Sequence, residues 1–384
     1  MPAEPSPQID HAPMSGSTLT ATDGTVRSPR IIGLDIARAF AIIGMVIVNF
    51  KITMGAEEGG PPWLRTFAAL FDGRAAATFV ILAGVGASLG SRRARESGDH
   101  DQEHRARVTL AKRALFLFVL GWAFFPIWPA DILHYYGAYL AIGSIVLFAP
   151  SKRLLALAAS SVAVSFAFII SFDPLANWNL DDYSYRGLST PVGFLRNLFL
   201  DGFHPILPWV AFYVFGLWLG RTDLRDPVWR RALLVRSAIV VAATEVSAWI
   251  VVGPKGASLD DLDERSWRWL FSVEPIPPLP LYLLAGAGTA VLVICGSTWL
   301  GEHLPQKMSA PLVSTGQMAL TIYLAHVLVG MVVLDSFGRL EDQTLGWAVL
   351  TSLVFSAAAI VSSWAWRRRF DRGPLEVLMR RVAG

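Results

Sequence analysis

Cysteine and charged residues are both scarce in this 384-residue chain. The single cysteine, Cys295, lies within an apolar run, which excludes a disulfide framework within the chain and any cysteine-based metal cluster. Only 16% of the residues are charged, and the net charge of +3 is small and unevenly distributed. The basic residues are better explained by membrane topology than by nucleic-acid binding. We expect neither a metal nor a nucleic-acid partner.

Apolar residues dominate the composition, at 53% of the chain, with 14 tryptophans and 22 phenylalanines. A soluble domain this apolar would be hard to keep in solution, so the composition indicates a multi-pass membrane protein. We predict an all-α fold, a polytopic transmembrane helix bundle of about ten spans. The apolar segments long enough to cross a bilayer are 31–50, 67–90, 109–127, 131–149, 153–172, 204–220, 231–252, 277–300, 311–335 and 345–366.

The distribution of lysine and arginine predicts the orientation of these spans. If the N-terminus is cytoplasmic, 22 of the 33 basic residues lie in cytoplasmic segments and eight lie in the opposite loops. Both termini are therefore predicted to be cytoplasmic, which an even number of crossings allows. Residues 1–29 are rich in Pro, Ser and Thr and have no apolar signal-peptide core, so we expect a disordered cytoplasmic tail. Residues 30–384 are predicted to form a single transmembrane domain.

The first predicted span carries a polar stripe. At about 100° per residue, Asp35, Arg38, Ile42 and Asn49 fall on one face of a helix. Charges inside a bilayer are costly, so this face must contact protein or water and not lipid. The i, i+3 spacing also allows Asp35 and Arg38 simply to neutralise one another.

Other intramembrane polar residues are predicted to gather in the outer half of the membrane, where we expect a functional cavity. Each also has a structural explanation: Asp131 could cap a helix, His204 could mark a helix start before a proline, and isolated charges could form ion pairs. The i, i+3 spacing of Asp131 and His134 would equally let the carboxylate orient the imidazole as a catalytic base. The residues concerned are Asn49, Asp72, Arg74, Asp131, His134, His204, Glu245, Tyr323 and His326.

The second span contains several small residues, among them Gly86 and Gly90, that would allow close helix packing. The string Gly84-Val-Gly86 is not a nucleotide-binding fingerprint, because it lies inside a membrane span and lacks the preceding strand. We therefore expect this stripe to be structural.

Several strings resemble the YeiB-like and heparan-α-glucosaminide N-acetyltransferase-like membrane proteins. The matches extend over nearly the whole chain after residue 30, and together they are fairly specific. The strings are Arg30-x-x-Gly-Leu-Asp-Ile-Ala-Arg38 with Asn49 after it, Leu70-Phe-Asp-Gly-Arg74, Asp131-Ile-Leu-His-Tyr-Tyr-Gly137, His204-Pro-Ile-Leu-Pro-Trp209, Gly316-Gln-Met-Ala-Leu-Thr-Ile-Tyr323 and Arg372-Gly-Pro-Leu-Glu376.

The resemblance implies a membrane acyltransferase that takes an acyl group, acetyl in the named enzyme, from cytosolic acyl-CoA. The acceptor would be a glycan or lipid-linked molecule across the membrane. By the same resemblance, Asn49 matches the amide close to the reacting acyl group. The histidine that follows this asparagine in the animal enzyme has no counterpart in residues 51–58. Either His134 with Asp131, or Glu57 or Glu58, would have to replace it.

We therefore assign His134 as the base, Asp131 as its orienting group and Asn49 as the oxyanion or acyl-carbonyl donor. Other polar residues would line a substrate or cofactor pocket, with the arginines at the cytoplasmic mouth meeting the phosphates of coenzyme A. This second group comprises Asp35, Arg38, Asp72, Arg74, His204, Tyr323 and His326, with Arg30 and Arg113 added at the mouth.

Two other functions are compatible with the sequence. A transporter or lipid flippase would use the charged residues as a proton or substrate relay. A non-catalytic membrane protein would pair the buried charges without forming a cavity. Membrane lipids are the partners expected in each case, and the sequence leaves a homo-oligomer open. The family resemblance indicates a bacterial plasma membrane.

Overall fold

The computed structural model describes residues 30–56, 59–179, 184–253 and 267–384. The predicted tail and the alternative bases Glu57 and Glu58 lie outside these ranges. Regular structure in the described residues is almost entirely helical, which confirms the predicted all-α class. The helices are α1 (Ile32–Thr53), α2 (Pro62–Ala69), α3 (Arg74–Gly90), α4 (Arg92–Ser97), α5 (His100–Phe124), α6 (Leu133–Val146), α7 (Ser151–Ser171), α8 (Pro191–Arg196), α9 (Ile206–Leu219), α10 (Pro227–Val251), α11 (Pro280–His303), α12 (Gln306–Gln317), α13 (Ala319–Ala325), α14 (Val332–Ser336), α15 (Leu345–Arg367) and α16 (Pro374–Ala383).

Shorter elements complete the architecture. Two π-helical segments cover Asn197–Asp201 and His326–Met331, and a 3₁₀-helical segment covers Trp267–Phe271. Strands β1 (Trp178–Asn179) and β2 (Ser184–Tyr185) pair antiparallel, with Trp178 opposite Tyr185.

The helices are long and apolar enough to make this an integral, multi-pass membrane protein. Seven helical segments in the described ranges meet the length and hydropathy needed for a span, and one bent pair would make eight. A helix lies in each of the ten predicted segments, but α5 begins with charged residues and α6 has only 14 residues. The ten-span count and the cytoplasmic placement of both termini therefore stay predictions.

Helix α1 lies at the centre of the bundle. It packs against α3, α11, α12 and α15, and α3 packs in turn against α9 and α11. The central position follows from the composition of α1, whose small and branched apolar side chains are buried along most of its length. Helices α7 and α10 instead leave most of their apolar surface uncovered by protein, as expected for helices that face lipid.

A close helix crossing depends on glycines of α3 and α9. A Cβ added to Gly84 would lie 2.2 Å from the carbonyl oxygen of Tyr213, and one added to Gly216 would lie 2.2 Å from that of Ile81. Close packing therefore occurs at Gly84, whereas the small-residue stripe was predicted to include Gly86 and Gly90. A Cβ on Gly86 would meet only the side chain of Arg38, at 3.3 Å. Gly90 has no atom within 4 Å of an added Cβ.

Gly84 and Gly90, both in α3, give a pair of predictions about stability in which one substitution controls for the other. Gly84→Ala should lower the free energy of unfolding by about 1–3 kcal/mol, because the added methyl group forces α3 and α9 apart. Gly90→Ala should leave stability unchanged or raise it by up to about 1 kcal/mol, because alanine favours the helix and meets no neighbour. Unfolding of both purified variants in one detergent would measure this. Equal destabilisation by the two substitutions would contradict the crossing described above.

Two interruptions in the helices bring polar residues to one place. The segments Pro191–Asp201 and Ile206–Leu219 form a bent pair at 47°, and His204 lies in the break. Met318 separates α12 from α13 with non-helical backbone angles, and the π-helical turn that begins at His326 follows α13. Broken membrane helices and π-turns are frequent at binding sites, because they release backbone groups and redirect side chains.

Candidate functional site

A cavity of about 80 Å³ lies where the last turns of α1 meet the start of α3 and the break before α9. A space of this size holds a few water molecules or a small acyl group, but not a whole coenzyme. Its wall is mostly apolar, with three strongly polar side chains, those of Asn49, His204 and Tyr323. The other lining residues are Met45, Val48, Ile52, Phe71, Gly73, Ala75, Ala76, Ala130, Ile132, Phe203, Trp209, Pro275 and Ile276.

Asn49 is held by His326, which is fully buried. Asn49 Nδ2 and His326 Nε2 are 2.8 Å apart, and His326 Nδ1 bonds to the carbonyl oxygen of Tyr323. A carbonyl can only accept, so Nδ1 carries the proton and Nε2 of the neutral ring accepts from the Asn49 amide. The amide therefore keeps a second N–H and its oxygen for a ligand in the cavity. The sequence predicts both residues at one site but not this contact between them.

Tyr323 connects the cavity to Asp131. The Tyr323 hydroxyl donates to Asp131 Oδ1 at 3.1 Å and accepts from the backbone N–H of Ile132 at 3.2 Å. The hydroxyl therefore uses its one donor and one of its acceptor positions in this region, and the two bonds fix the ring in the cavity wall.

The predicted contact between Asp131 and His134 is present. Asp131 Oδ2 lies 3.1 Å from His134 Nδ1 and also accepts from the backbone N–H groups of Leu133 and His134. The carboxylate therefore caps α6 and orients the imidazole at the same time, so the two explanations offered by the sequence are compatible.

His134 does not line the cavity. Its ring packs against Trp122, Phe125 and Tyr135, with centroids 5.4, 5.6 and 3.9 Å away. Only 1% of its surface is exposed. A base must come within hydrogen-bond reach of the proton that it removes. His134 lies outside the cavity wall, in an aromatic enclosure of its own.

His204 is the histidine that lines the cavity directly. Its ring packs edge-on against Trp209 at 4.6 Å, and its Nδ1 has no hydrogen-bond partner among the described residues. The same holds for Trp209 Nε1, although the Trp209 side chain is only 1% exposed. Buried polar atoms are normally paired, and an indole N–H can only donate. Both unpaired atoms belong to cavity-lining residues, where water or a substrate oxygen can supply the missing partner.

Asp72 and Arg74 lie beside the cavity and not in its wall. Lys51 Nζ is 2.7 Å from both carboxylate oxygens of Asp72, while Arg74 pairs with Glu245 of α10 and donates to the carbonyl of Ala69. The two residues face different partners because Asp72 lies in the turn before α3, and Gly73, with a φ of 63°, separates it from Arg74 at the helix start. Their neighbours Phe71 and Gly73 do line the cavity, so these ion pairs fix the turn that forms one side of it.

Asp35 and Arg38 form a separate cluster near the other end of α1. Arg38 Nη1 is 2.6 Å from Asp35 Oδ1, which confirms the predicted i, i+3 pair. Gln317 donates to Asp35 at 3.2 Å and accepts from Arg367 at 2.6 Å. The eleven residues from Arg38 to Asn49 correspond to about 16 Å along the helix. Arg38 therefore does not contact the cavity that Asn49 lines.

The roles of Trp209 and Lys51 are not predicted by the sequence. Trp209 ends one of the strings that carry the family resemblance, and that position was the available signal. Lys51 follows the apolar segment 31–50 and so is predicted to lie in a loop, whereas α1 continues to Thr53. In the described part of the chain, no cluster of three or more His, Cys, Asp or Glu side chains could hold a metal ion.

Two family profiles together cover the chain from residue 30 onwards. The profile of heparan-alpha-glucosaminide N-acetyltransferase, catalytic, matches residues 30–255, and that of a protein family of unknown function matches residues 218–384. No curated protein matches the chain. The cavity wall uses both regions, since Asn49 and His204 come from the first and Tyr323 from the second, which also supplies His326 to hold Asn49. Because the first profile covers more than half of the sequence and agrees with the resemblance, the chain belongs to the heparan-alpha-glucosaminide N-acetyltransferase catalytic family.

Proposed function

We propose that this protein is a membrane-embedded acyltransferase. It would move an acyl group, acetyl by analogy with the family, from cytosolic acyl-CoA to a hydroxyl or amine on an extracytoplasmic glycan or lipid-linked acceptor. The observation that carries the proposal is the small cavity in which the Asn49 amide, held by His326, and an imidazole with an unpaired nitrogen, His204, are brought together.

In the proposed reaction, the acceptor oxygen or nitrogen attacks the carbonyl carbon of the thioester. His204 takes the proton from the attacking atom, and the free N–H of Asn49 donates to the oxygen that gains negative charge. The carbon–sulfur bond then breaks, and the coenzyme leaves as a thiolate that takes up a proton. Trp209 Nε1 supplies another donor in the cavity wall, for the same oxygen or for an oxygen of the acceptor.

His204 is favoured over His134 as the base because of where the two rings lie. His204 lines the cavity, whereas His134 is enclosed by aromatic rings and committed to Asp131. The assignment of His134 as base with Asp131 as its orienting group stays a prediction of the sequence. In the reaction proposed here, with His204 as the base, Asp131 acts on the cavity through Tyr323, because it holds the Tyr323 ring in the wall.

The acyl donor would extend along α1. The cavity near Asn49 has room for the acyl end, and Arg38 about 16 Å away would meet a phosphate at the cytoplasmic mouth. The flexible pantetheine arm of coenzyme A is long enough to join these two places. We extend the proposal to a bacterial plasma membrane, with membrane lipids as partners and with homo-oligomerisation left to experiment.

A transporter or lipid flippase is the second candidate, and the break at Met318 favours it. Discontinuous membrane helices commonly surround transport sites. In this chain, however, several charged groups that a relay would use are already paired, as Lys51 with Asp72 and Arg74 with Glu245. A non-catalytic protein is disfavoured by the cavity and by the unpaired polar atoms of its wall.

Purified protein in sealed vesicles should transfer radiolabel from [¹⁴C]acetyl-CoA on the cytoplasmic side to a hydroxylated or amino-sugar acceptor on the opposite side. Empty vesicles should give background transfer only, because they contain no site. The Asn49→Ala variant should do the same, because its site lacks the amide donor. Movement of unmodified acceptor across the membrane without label incorporation would instead support transport. If neither label nor acceptor moved for any acceptor of a broad glycan and lipid panel, the acyltransferase proposal would be wrong.

A further inference from the structure

A carboxylate from the C-terminal helix α16 closes the break between α12 and α13. The first backbone N–H groups of a helix have no partner within that helix. In α13 these groups belong to the residues that directly follow Met318. Glu376 Oε1 accepts from the backbone N–H groups of Leu320 and Thr321 at 2.9 and 3.1 Å. Its Oε2 accepts from the Thr321 hydroxyl at 2.6 Å. One side chain thus satisfies two free backbone donors and places a negative charge at a helix N-terminus, where it is stabilising.

The residues next to Glu376 in the sequence support this contact. The Thr321 hydroxyl also accepts from the backbone N–H of Leu375 at 3.2 Å, so the two segments are joined in both directions. A Cβ on Gly373 would lie 2.1 Å from Glu376 Oε2 and 2.8 Å from Thr321 Oγ1. Only glycine leaves room for the carboxylate there, and Pro374 then begins α16 immediately.

The capped turn lies directly before residues of the cavity. Tyr323 follows Thr321 by two residues, and His326 follows by five, on one helical segment. His326 holds the Asn49 amide, and Tyr323 forms part of the cavity wall. A shift or rotation at the start of this segment would therefore reach the amide that is proposed to bind the acyl carbonyl.

We propose that Glu376 is a positioning residue for acyl transfer and that it acts through His326 on Asn49. This inference rests on the proposed function and assigns a task to the region matched by the profile of unknown function. That region supplies His326 and Tyr323, and its own C-terminal helix sets their position.

Glu376→Ala should lower kcat by about 10–100-fold, because small displacements of positioned groups have effects of this size. The KM for acetyl-CoA should change less, since the carboxylate contacts no predicted donor-binding residue. Glu376→Gln should restore kcat to within about threefold, because its amide oxygen can still accept from both backbone N–H groups. Val382→Ala, an exposed change on the same helix, should leave kcat and KM unchanged.

A double-mutant cycle separates positioning from loss of stability. If Glu376 acts through His326, Glu376→Ala should lower kcat much less in a His326→Ala background than in the wild type. Independent effects that multiply, or an alanine variant with full activity, would overturn the proposal.

A measurement that needs no activity completes the test. In Glu376→Ala, backbone hydrogen exchange over residues 319–325 and modification of His326 by diethyl pyrocarbonate should both become faster than in Val382→Ala. Unchanged exchange and modification would overturn the positioning role by themselves. Failure of the wild type to transfer acyl groups, with both rates increased, would instead contradict the proposed function and leave the contact between Glu376 and the helix supported.

Discussion

Replacing His204 with glutamine is expected to lower kcat for acyl transfer by about 10²–10⁴-fold, the usual contribution of a general base. Glutamine keeps a polar side chain of similar length in the cavity wall but cannot take up a proton near neutral pH. The ring of His204 lines the cavity with an unpaired Nδ1, whereas both nitrogens of His326 already have partners. Initial rates with saturating acetyl-CoA and acceptor would measure the effect, with thermal unfolding recorded for each variant.

His134→Gln provides the decisive comparison, because the sequence alone favoured that residue. Its ring is buried against Asp131, so its replacement should reduce stability more than kcat. His303→Gln, an exposed change on α11, serves as the neutral control. If His134→Gln abolished transfer while His204→Gln remained active and both stayed folded, the base would be His134 and the assignment from cavity geometry would be wrong.

The helical segments were predictable because a bilayer demands long apolar runs, and these are visible directly in the sequence. The number of crossings was less predictable. Helix α5 combines a charged first half with an apolar second half, and α6 is short, so hydropathy alone does not decide whether the pair spans the membrane. Close packing at Gly84 and not at Gly90 depends on which neighbour crosses α3, and spacing along one helix does not contain that information.

The polar site was predictable only in part, because contacts between residues close in sequence can be predicted and contacts between distant residues cannot. The i, i+3 pairs Asp35–Arg38 and Asp131–His134 follow from helix geometry and are both present. The contact between Asn49 and His326 joins residues 277 positions apart, so it depends on the fold of the whole bundle. That long-range contact, together with the break that carries His204 into the wall, moves the centre of the proposed chemistry away from His134.

Asn49→Ala should lower kcat by about 10²–10³-fold, the effect of removing one donor to a developing oxyanion. Alanine keeps α1 helical and removes both the free N–H that faces the cavity and the N–H that occupies His326. Phe40→Ala, an exposed substitution on the same helix, controls for general perturbation of α1. If Asn49 stabilises charge only in the transition state, kcat and kcat/KM should fall together, with KM nearly unchanged. A rise in KM at constant kcat would show that the amide binds substrate and transition state equally well, and oxyanion stabilisation would then have to come from another donor, such as Trp209.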